Sequence, residues 1–161
     1  MIAGINLAYA FAAILTVRIC YLQFKFLQLK SFLNEKINGE AKLNEFYFIM
    51  LQWLRVHNEG RSLANYFIKN GYRTVAIYGM KELGETLLKE LRQGGVEVRY
   101  AIDRDADKLF VNIDIRKPEG HLDSVDVVVV TAVHYYEEIR KDLSSKMSAD
   151  IVSLEDVVWE A

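Results

Sequence analysis

The segment Gly79-Met80-Lys81-Glu82-Leu83-Gly84 has the residue types and the spacing that best suit ligand chemistry in this chain. It follows a β-branched apolar run and opens a stretch with leucines at helical spacing, the context in which a glycine turn binds phosphate groups. In such turns the first glycine makes the tight bend, the second admits a pyrophosphate, and the third lets the helix pack on the strand. Gly79 and Gly84 occupy the first and third positions, and Lys81 occupies the second.

The lysine at the second position leaves two interpretations of the turn open. A side chain there obstructs the close approach of a pyrophosphate, but the amides at a helix start still favour an anion, and Lys81 adds a positive charge. In this first interpretation the turn binds a phosphate or a sugar nucleotide in another pose. In the second, Gly79 and Gly84 serve only the bend and the packing.

Two further segments are expected beside this turn, because ligands of parallel sheets bind at the carboxyl ends of the strands. Asp103 lies 24 residues after Gly79, close to the spacing of an acid that binds a ribose; its alternative role is to cap the following turn. Arg104 and Thr131–Tyr135 follow the ends of predicted strands. The predicted nucleotide-binding residues are Gly79, Met80, Lys81, Glu82, Leu83, Gly84, Asp103, Arg104, Thr131, Ala132, His134 and Tyr135.

The sequence assigns no catalytic residue and predicts no metal site. His134 could act as an acid or a base or simply begin a helix, and no nucleophile stands at a definite spacing from it. His57 and His121 fall in predicted loops. Cys20 is the only cysteine, and the acids at positions 103, 105 and 107 lack the glycine and distal glutamate of a calcium loop.

The elements that position these candidates alternate between strand and helix over residues 72–161. The uninterrupted apolar run Val127–Val130 is typical of a central parallel strand that is covered on both faces. This alternation predicts an α/β fold with a small Rossmann-like parallel sheet of four or five strands. The predicted strands are 74–78, 96–102, 111–115, 127–130 and 150–153, and the predicted helices are 82–92, 135–147 and 154–159.

Residues 1–71 are predicted to form an all-helical region that precedes the sheet domain. Glycine, a usual helix stop signal, predicts breaks at Asn38–Gly39, His57–Gly60 and Asn70–Gly71. Residues 1–17 carry no charged side chain. Three interpretations of residues 1–33 are open: a packing or self-association helix, membrane contact or a membrane span, and a segment foreign to the folded domain. The apolar stripe behind the first is Leu7, Phe11, Ile14, Arg18, Leu22, Phe26, Leu29 and Leu33.

Composition narrows the class of protein. Of the 161 residues, 52% are hydrophobic and 26% charged, which excludes disorder of the whole chain. The single cysteine excludes a disulfide framework and fits a cytoplasmic location, with membrane association through residues 1–33 as the alternative. A net charge of −2 gives no drive toward nucleic acid, so no nucleic-acid partner is expected.

Several stretches of the second half together form a recognisable set: Val75–Gly79 with Glu82–Gly84, Tyr100–Arg104, Asp126–Thr131 and Tyr136–Ile139. This set resembles a group of Rossmann-like domains in bacterial surface-polysaccharide enzymes. One relative is the N-terminal nucleotide-sugar-binding domain of sialic-acid and bacillosamine-type sugar acetyltransferases. Another is the C-terminal domain of sugar C-methyltransferases, whose isoleucine- and proline-containing stretch is matched by Ile113, Ile115, Pro118 and Glu119. The resemblance covers residues 53–158.

The resemblance implies an accessory or non-catalytic module that binds a nucleotide or nucleotide sugar in bacterial surface-polysaccharide biosynthesis. The chain shows neither the β-helix acyltransferase pattern nor the methyltransferase site of these relatives. One alternative is an NAD(P)-dependent sugar oxidoreductase or epimerase, although Tyr136 and Arg140 place an arginine where the proton relay needs a lysine. The other alternative is a scaffold that docks a glycosyltransferase, or dimerises, through its N-terminal helices.

Overall fold

A computed structural model describes residues 2–161 of the chain, with side chains from Leu15 onward. The chain divides into two compact units, one ending at Phe46 and the other comprising Tyr47–Ala161. The second unit contains the sheet and every residue of the predicted nucleotide site, so each unit is described by itself.

The first helix, α1, spans Ile2–Asn58 without interruption. The break predicted at Asn38–Gly39 is therefore wrong, and so is the separate helix predicted after it. A glycine inside a helix costs about 1 kcal/mol relative to alanine, and the strong helix formers around Gly39 (glutamate, lysine, alanine and leucine) offset that cost. The helix ends instead at Asn58, just before Gly60, whose φ of 73° is a left-handed conformation that suits glycine.

Large apolar side chains of α1 are exposed along the part of the first unit whose side chains are described. Leu22, Phe26, Leu29 and Leu33, four members of the predicted apolar stripe, are each about half or more exposed. Leu7, Phe11 and Ile14 lie outside the residues with described side chains, as does most of the uncharged stretch 1–17. Within the described part of the chain, no helix has the length and hydropathy that crossing a bilayer requires.

The second unit is built on a five-stranded, wholly parallel sheet with the strand order β3-β2-β1-β4-β5. The α/β fold with a parallel sheet, predicted from the alternation of strands and helices, is thus confirmed. The strands are β1 (Thr74–Tyr78), β2 (Glu97–Ile102), β3 (Ile115–Arg116), β4 (Val127–Val130) and β5 (Asp150–Ser153). The helices are α2 (Ala64–Lys69), α3 (Glu82–Gln93), α4 (Tyr136–Ser144) and α5 (Leu154–Glu160).

The two faces of this sheet have separate cores. One face is covered by α2, α3, α5 and the last turns of α1, which bury Trp53, Phe67 and Leu91 against the inward side chains of β1 and β4. The other face is covered by α4, whose Ile139 and Leu143 pack against β1, β2 and β4. All four valines of β4 are fully buried, as expected for a central strand covered on both faces.

A buried glutamate joins the end of α1 to α3. Glu90 is 7% exposed, and its carboxylate accepts hydrogen bonds from the Trp53 indole at 2.6 Å, the Ser62 hydroxyl at 2.8 Å and the Leu63 amide at 2.6 Å. His57 Nε2 lies 3.0 Å from the same carboxylate. The prediction that His57 lies in a loop is therefore wrong: it belongs to the last turn of α1.

Two other boundaries differ from the sequence prediction. The strand predicted at 111–115 is reduced to the two-residue edge strand β3 (Ile115–Arg116). Val111 and Ile113, which precede it, lie in irregular backbone and pack against the core. The helix predicted at 135–147 is shorter at both ends, since Val133–Tyr135 forms a 3-10 turn and α4 ends at Ser144.

Candidate functional site

The candidate site is the turn between β1 and α3. Gly79 has a φ of 95°, and its N–H still donates to the Ile102 carbonyl at 2.8 Å, which extends the sheet by one bond. A Cβ at position 79 would lie 2.6 Å from Thr131 Oγ1. Both the backbone conformation and the space therefore demand glycine.

Gly84 lets the first turn of α3 rest directly on this bend. A Cβ at position 84 would lie 2.0 Å from the Gly79 carbonyl oxygen, far inside any real contact. This is the close packing that the sequence assigns to the third glycine of the motif. Met80 and Leu83 are buried in the core, so their side chains anchor the turn, and their part in nucleotide binding stays a prediction.

Asp103 holds the turn from the neighbouring strand. It follows β2 and is 8% exposed; its Oδ2 accepts the Met80 N–H at 2.8 Å and its Oδ1 accepts the Asp105 N–H at 2.9 Å. Both oxygens thus bond to backbone amides, which is the capping role that the sequence left open. Its contact with a ribose stays a prediction.

Thr131 closes the other side of the turn from the end of β4. Its hydroxyl lies 2.7 Å from the Gly79 carbonyl oxygen and 3.1 Å from that of Tyr78, and its N–H donates to the Tyr78 carbonyl at 2.9 Å. The structure therefore brings Gly79, Asp103 and Thr131 together around one bend.

The outer side of the turn is open to solvent. Lys81 is the exposed N-cap residue of α3, and no side chain caps that helix. The first amides of a helix have no partner within the helix, and the helix dipole makes this end attractive to an anion. Glu82 is exposed beside it, and Ala132 and His134 are half-buried, with the exposed Tyr135 next along the chain.

This end of the sheet is also where its strand order reverses. The chain runs outward from β1 to β2 and β3, and then returns to place β4 on the opposite side of β1. In open parallel sheets such a reversal leaves a crevice at the carboxyl ends of the two strands, where ligands bind. The segments that flank this reversal are Gly79–Lys81, after β1, and Thr131–Tyr135, after β4.

A family model described as C2185-like, N-terminal, matches residues 71–151, half of the chain. The chain belongs to the C2185-like N-terminal family. The matched region runs from the end of α2 into β5 and so contains the whole turn, Asp103 and Thr131. No curated protein and no solved structure matches the chain.

The C2185-like region also contains a cleft that the sequence did not predict. It has a volume of about 670 Å³ and lies beside Tyr78, Arg104, Pro118 and the outer side of α4. Its charged lining mixes both signs, with Arg104, Lys141 and Lys146 facing Glu119, Glu138 and Asp142. The closely spaced acids and bases of α4 are visible in the sequence and could have indicated a charged surface. The sequence could not show that Pro118 lies on the opposite side of the cleft from α4.

Most of the described charges in this cleft pair with one another. Arg104 contacts Glu138 at 3.2 Å, and Lys146 contacts Asp142 at 2.6 Å and the Pro118 carbonyl at 3.1 Å. Burial raises the pKa of the Tyr78 hydroxyl, although the Arg104 guanidinium hydrogen-bonded to it acts in the opposite direction. The same bond, followed by that to Glu138, raises the pKa of Arg104. Arg104, predicted to bind a nucleotide, thus lies on the cleft side of the sheet end.

Among the residues that the structure describes, no group of histidine, cysteine, aspartate and glutamate side chains is arranged to hold a metal ion. His121 pairs with Asp123 at 3.0 Å on an exposed loop, and His134 lies on the 3-10 turn before α4. The amides at the start of α3 and the exposed Lys81 are groups of the kind that bind anions in other proteins.

Proposed function

We propose that this protein is an accessory, non-catalytic Rossmann-like module that binds a nucleotide or nucleotide sugar in bacterial surface-polysaccharide biosynthesis. The observation that carries the proposal is the start of α3, which has no capping side chain, bears the exposed Lys81, and lies beside the strand-order reversal. Amides at a helix start and a lysine recognise phosphate by charge and hydrogen bonding.

The pose of the phosphate follows from what already fills the bend. Thr131 and Asp103 occupy the inner side of the turn through their bonds to Gly79 and Met80, and Lys81 stands where a second glycine would admit a pyrophosphate. A phosphate therefore binds end-on to the first amides of α3. The base and sugar extend over Thr131–Tyr135.

The test is a thermal-shift screen of the whole chain, confirmed by titration calorimetry. The panel is UDP-sugars, CMP-sugars, NAD, NADP, S-adenosylmethionine and acetyl-CoA. A ligand present at about 100 times its dissociation constant adds about 2.7 kcal/mol of stability, which raises Tm by roughly 5–10 °C in a chain of this size. We expect this shift with a nucleotide sugar.

A matched pair of variants locates the site. Lys81→Ala removes the lysine beside the phosphate and is expected to weaken binding by roughly 3–10-fold, the usual size of one hydrogen bond at an exposed position. Lys89→Ala removes an exposed lysine from the same helix and should leave the affinity unchanged. A shift with NAD or NADP alone would favour the oxidoreductase alternative, and no shift with any compound would refute nucleotide binding.

A further inference from the structure

Many of the exposed apolar residues of α1 fit a seven-residue repeat of positions along the helix. From Leu15 to Leu54 the spacing alternates strictly between four and three residues, as in the a and d positions of a coiled coil. Ten of these twelve positions are apolar, and all ten are between 43% and 67% exposed. They are Leu15, Ile19, Leu22, Phe26, Leu29, Leu33, Leu43, Tyr47, Met50 and Leu54, and we call the full row of twelve positions the seam.

Two charged residues occupy the remaining positions of the seam. Lys36 stands at a d position and Glu40 at the next a position, and both are exposed. Charged groups at a and d positions lower the stability of a coiled coil but fix its partner and register. Their opposite signs therefore indicate which partner the seam accepts.

We propose that the seam of α1 from Leu22 to Leu54 packs against the same stretch of a second copy of this chain, in an antiparallel pair centred at Asn38. In an antiparallel coiled coil each a position lies beside a d position of the other helix. With this centre, Lys36 lies beside the partner's Glu40, and Glu40 lies beside the partner's Lys36. Each charge within the apolar seam then meets an opposite charge, which a buried ion needs.

The same register pairs the apolar residues that flank the seam. Ile37 lies one residue from the centre of the pair, so it faces the partner's Ile37 across the two-fold axis. Phe32 lies beside the partner's Phe46, and these flanking residues shield the central ion pairs from water. All three are exposed in the single chain, Ile37 at 61% and Phe32 at 55%.

A parallel pair in register would produce the opposite charge pattern. It would place Lys36 beside the partner's Lys36 and Glu40 beside the partner's Glu40, at the centre of the seam. Lys25 would face the partner's Lys30 across the flank. Like charges in direct contact destabilise such pairs, so the charges favour the antiparallel copy.

Orientation is tested by disulfide formation in full-length chains that carry Cys20→Ser. In the antiparallel pair, Ile37→Cys brings two thiols close to each other across the axis, and it is expected to form a disulfide-linked dimer under mild oxidation. Leu29→Cys is the matched control, because its thiols would lie about 27 Å apart, 18 residues along the helix at about 1.5 Å each. Cross-linking at position 29 and not at 37 would overturn the proposal.

Register is tested by charge exchange, with the association measured by sedimentation equilibrium. Glu40→Lys is expected to raise the dimer dissociation constant by about tenfold or more, since it leaves two lysines side by side. Adding Lys36→Glu to that variant restores opposite charges and should recover most of the affinity. Glu35→Lys, an exposed position off the seam, should have little effect.

The other possible occupants of the seam give distinct results. A chain that stays monomeric at tens of micromolar overturns the proposal. So does a monomer that floats with vesicles of phosphatidylglycerol and phosphatidylethanolamine, which would indicate a lipid surface. Dimerisation unaffected by Glu40→Lys would also overturn it, because the contact would then lie elsewhere.

Discussion

Strand β1 is held at both ends by an aspartate that accepts two backbone N–H groups, but the two aspartates differ in their access to water. At the amino end, Asp126 accepts from Arg73 at 2.8 Å and Thr74 at 2.7 Å, and it is exposed. At the carboxyl end, Asp103 accepts from Met80 and Asp105 and is 8% exposed.

The two aspartates therefore differ in what their removal would cost the protein. Exposed amides freed from Asp126 can bind water instead, whereas the buried amide of Met80 has no such substitute. Asp103, Thr131 and Gly84 thus hold the carboxyl end of strand β1 from the buried side of the turn. That arrangement leaves the outer side of the turn, with Lys81, available to a ligand.

The largest loss of stability is expected from Gly84→Ala, which tests how tightly the turn at the carboxyl end of β1 is packed. Its Cβ would lie 2.0 Å from the Gly79 carbonyl oxygen, so the backbone of α3 or of the turn must move. We expect a loss of about 3 kcal/mol and a fall in Tm of roughly 6–12 °C in calorimetry. Gly39→Ala is the control: its Cβ meets nothing within 4 Å, and it should stabilise the helix slightly.

Asp103→Ala is expected to come next, since it leaves the buried Met80 amide without an acceptor. The expected loss is about 2–3 kcal/mol, measured by urea unfolding with an unchanged denaturant slope. Asp126→Ala, which removes the exposed counterpart, should cost clearly less. Equal losses of stability in the two variants would contradict the proposed difference between the two ends of β1.

A smaller effect is expected in the way the free energy of unfolding falls at acidic pH. The amides of Thr74 and Arg73, together with the Thr74 hydroxyl, hold the pKa of the Asp126 carboxyl below its usual range. Its contribution is fully present above the unfolded pKa of about 3.9 and is lost as pH falls through the lower folded pKa. Asp126→Asn should therefore be less stable than the wild type at pH 6, and the difference should shrink below about pH 4. A constant difference would contradict this assignment.

The smallest effect on stability is expected at high pH, and it also concerns the amino end of β1. Burial, and then the hydrogen bond to Asp150, raises the pKa of the Tyr72 hydroxyl to about 12. The stabilisation is present below the unfolded pKa of about 10 and disappears as pH rises through the folded value. Tyr72→Phe should flatten the loss of stability across that range in urea titrations. Tyr21→Phe, at an exposed position, should leave the curve unchanged.

The sequence predicts the parts of the site that depend on local signals. β1 (Thr74–Tyr78) has the predicted bounds, because a β-branched run ends at a glycine that must bend. The glycine stops at Gly60 and Gly71 are also correct, since both have positive φ. Gly39 shows why the same signal fails elsewhere: glycine permits a helix to end but does not force it, and the flanking helix formers decide.

Long-range packing explains what the sequence could not predict. Glu90 gives no local sign that it will accept bonds from Trp53, 37 residues earlier, because the contact exists only once α1 and α3 share a core. The same holds for the cleft beside Tyr78, which needs Pro118 and α4 on opposite sides. The inward role of Asp103 was open for a similar reason, since a strand-end acid can turn either way.

The bond between Trp53 and Glu90 has an optical consequence. Of the two tryptophans, Trp53 is 4% exposed with its indole N–H against a carboxylate, while Trp159 is 58% exposed. In a Trp159→Phe chain the remaining fluorophore would report on the last turns of α1 alone. Its emission should move to longer wavelength when those turns leave the sheet, so ordinary fluorescence would follow this one junction through unfolding.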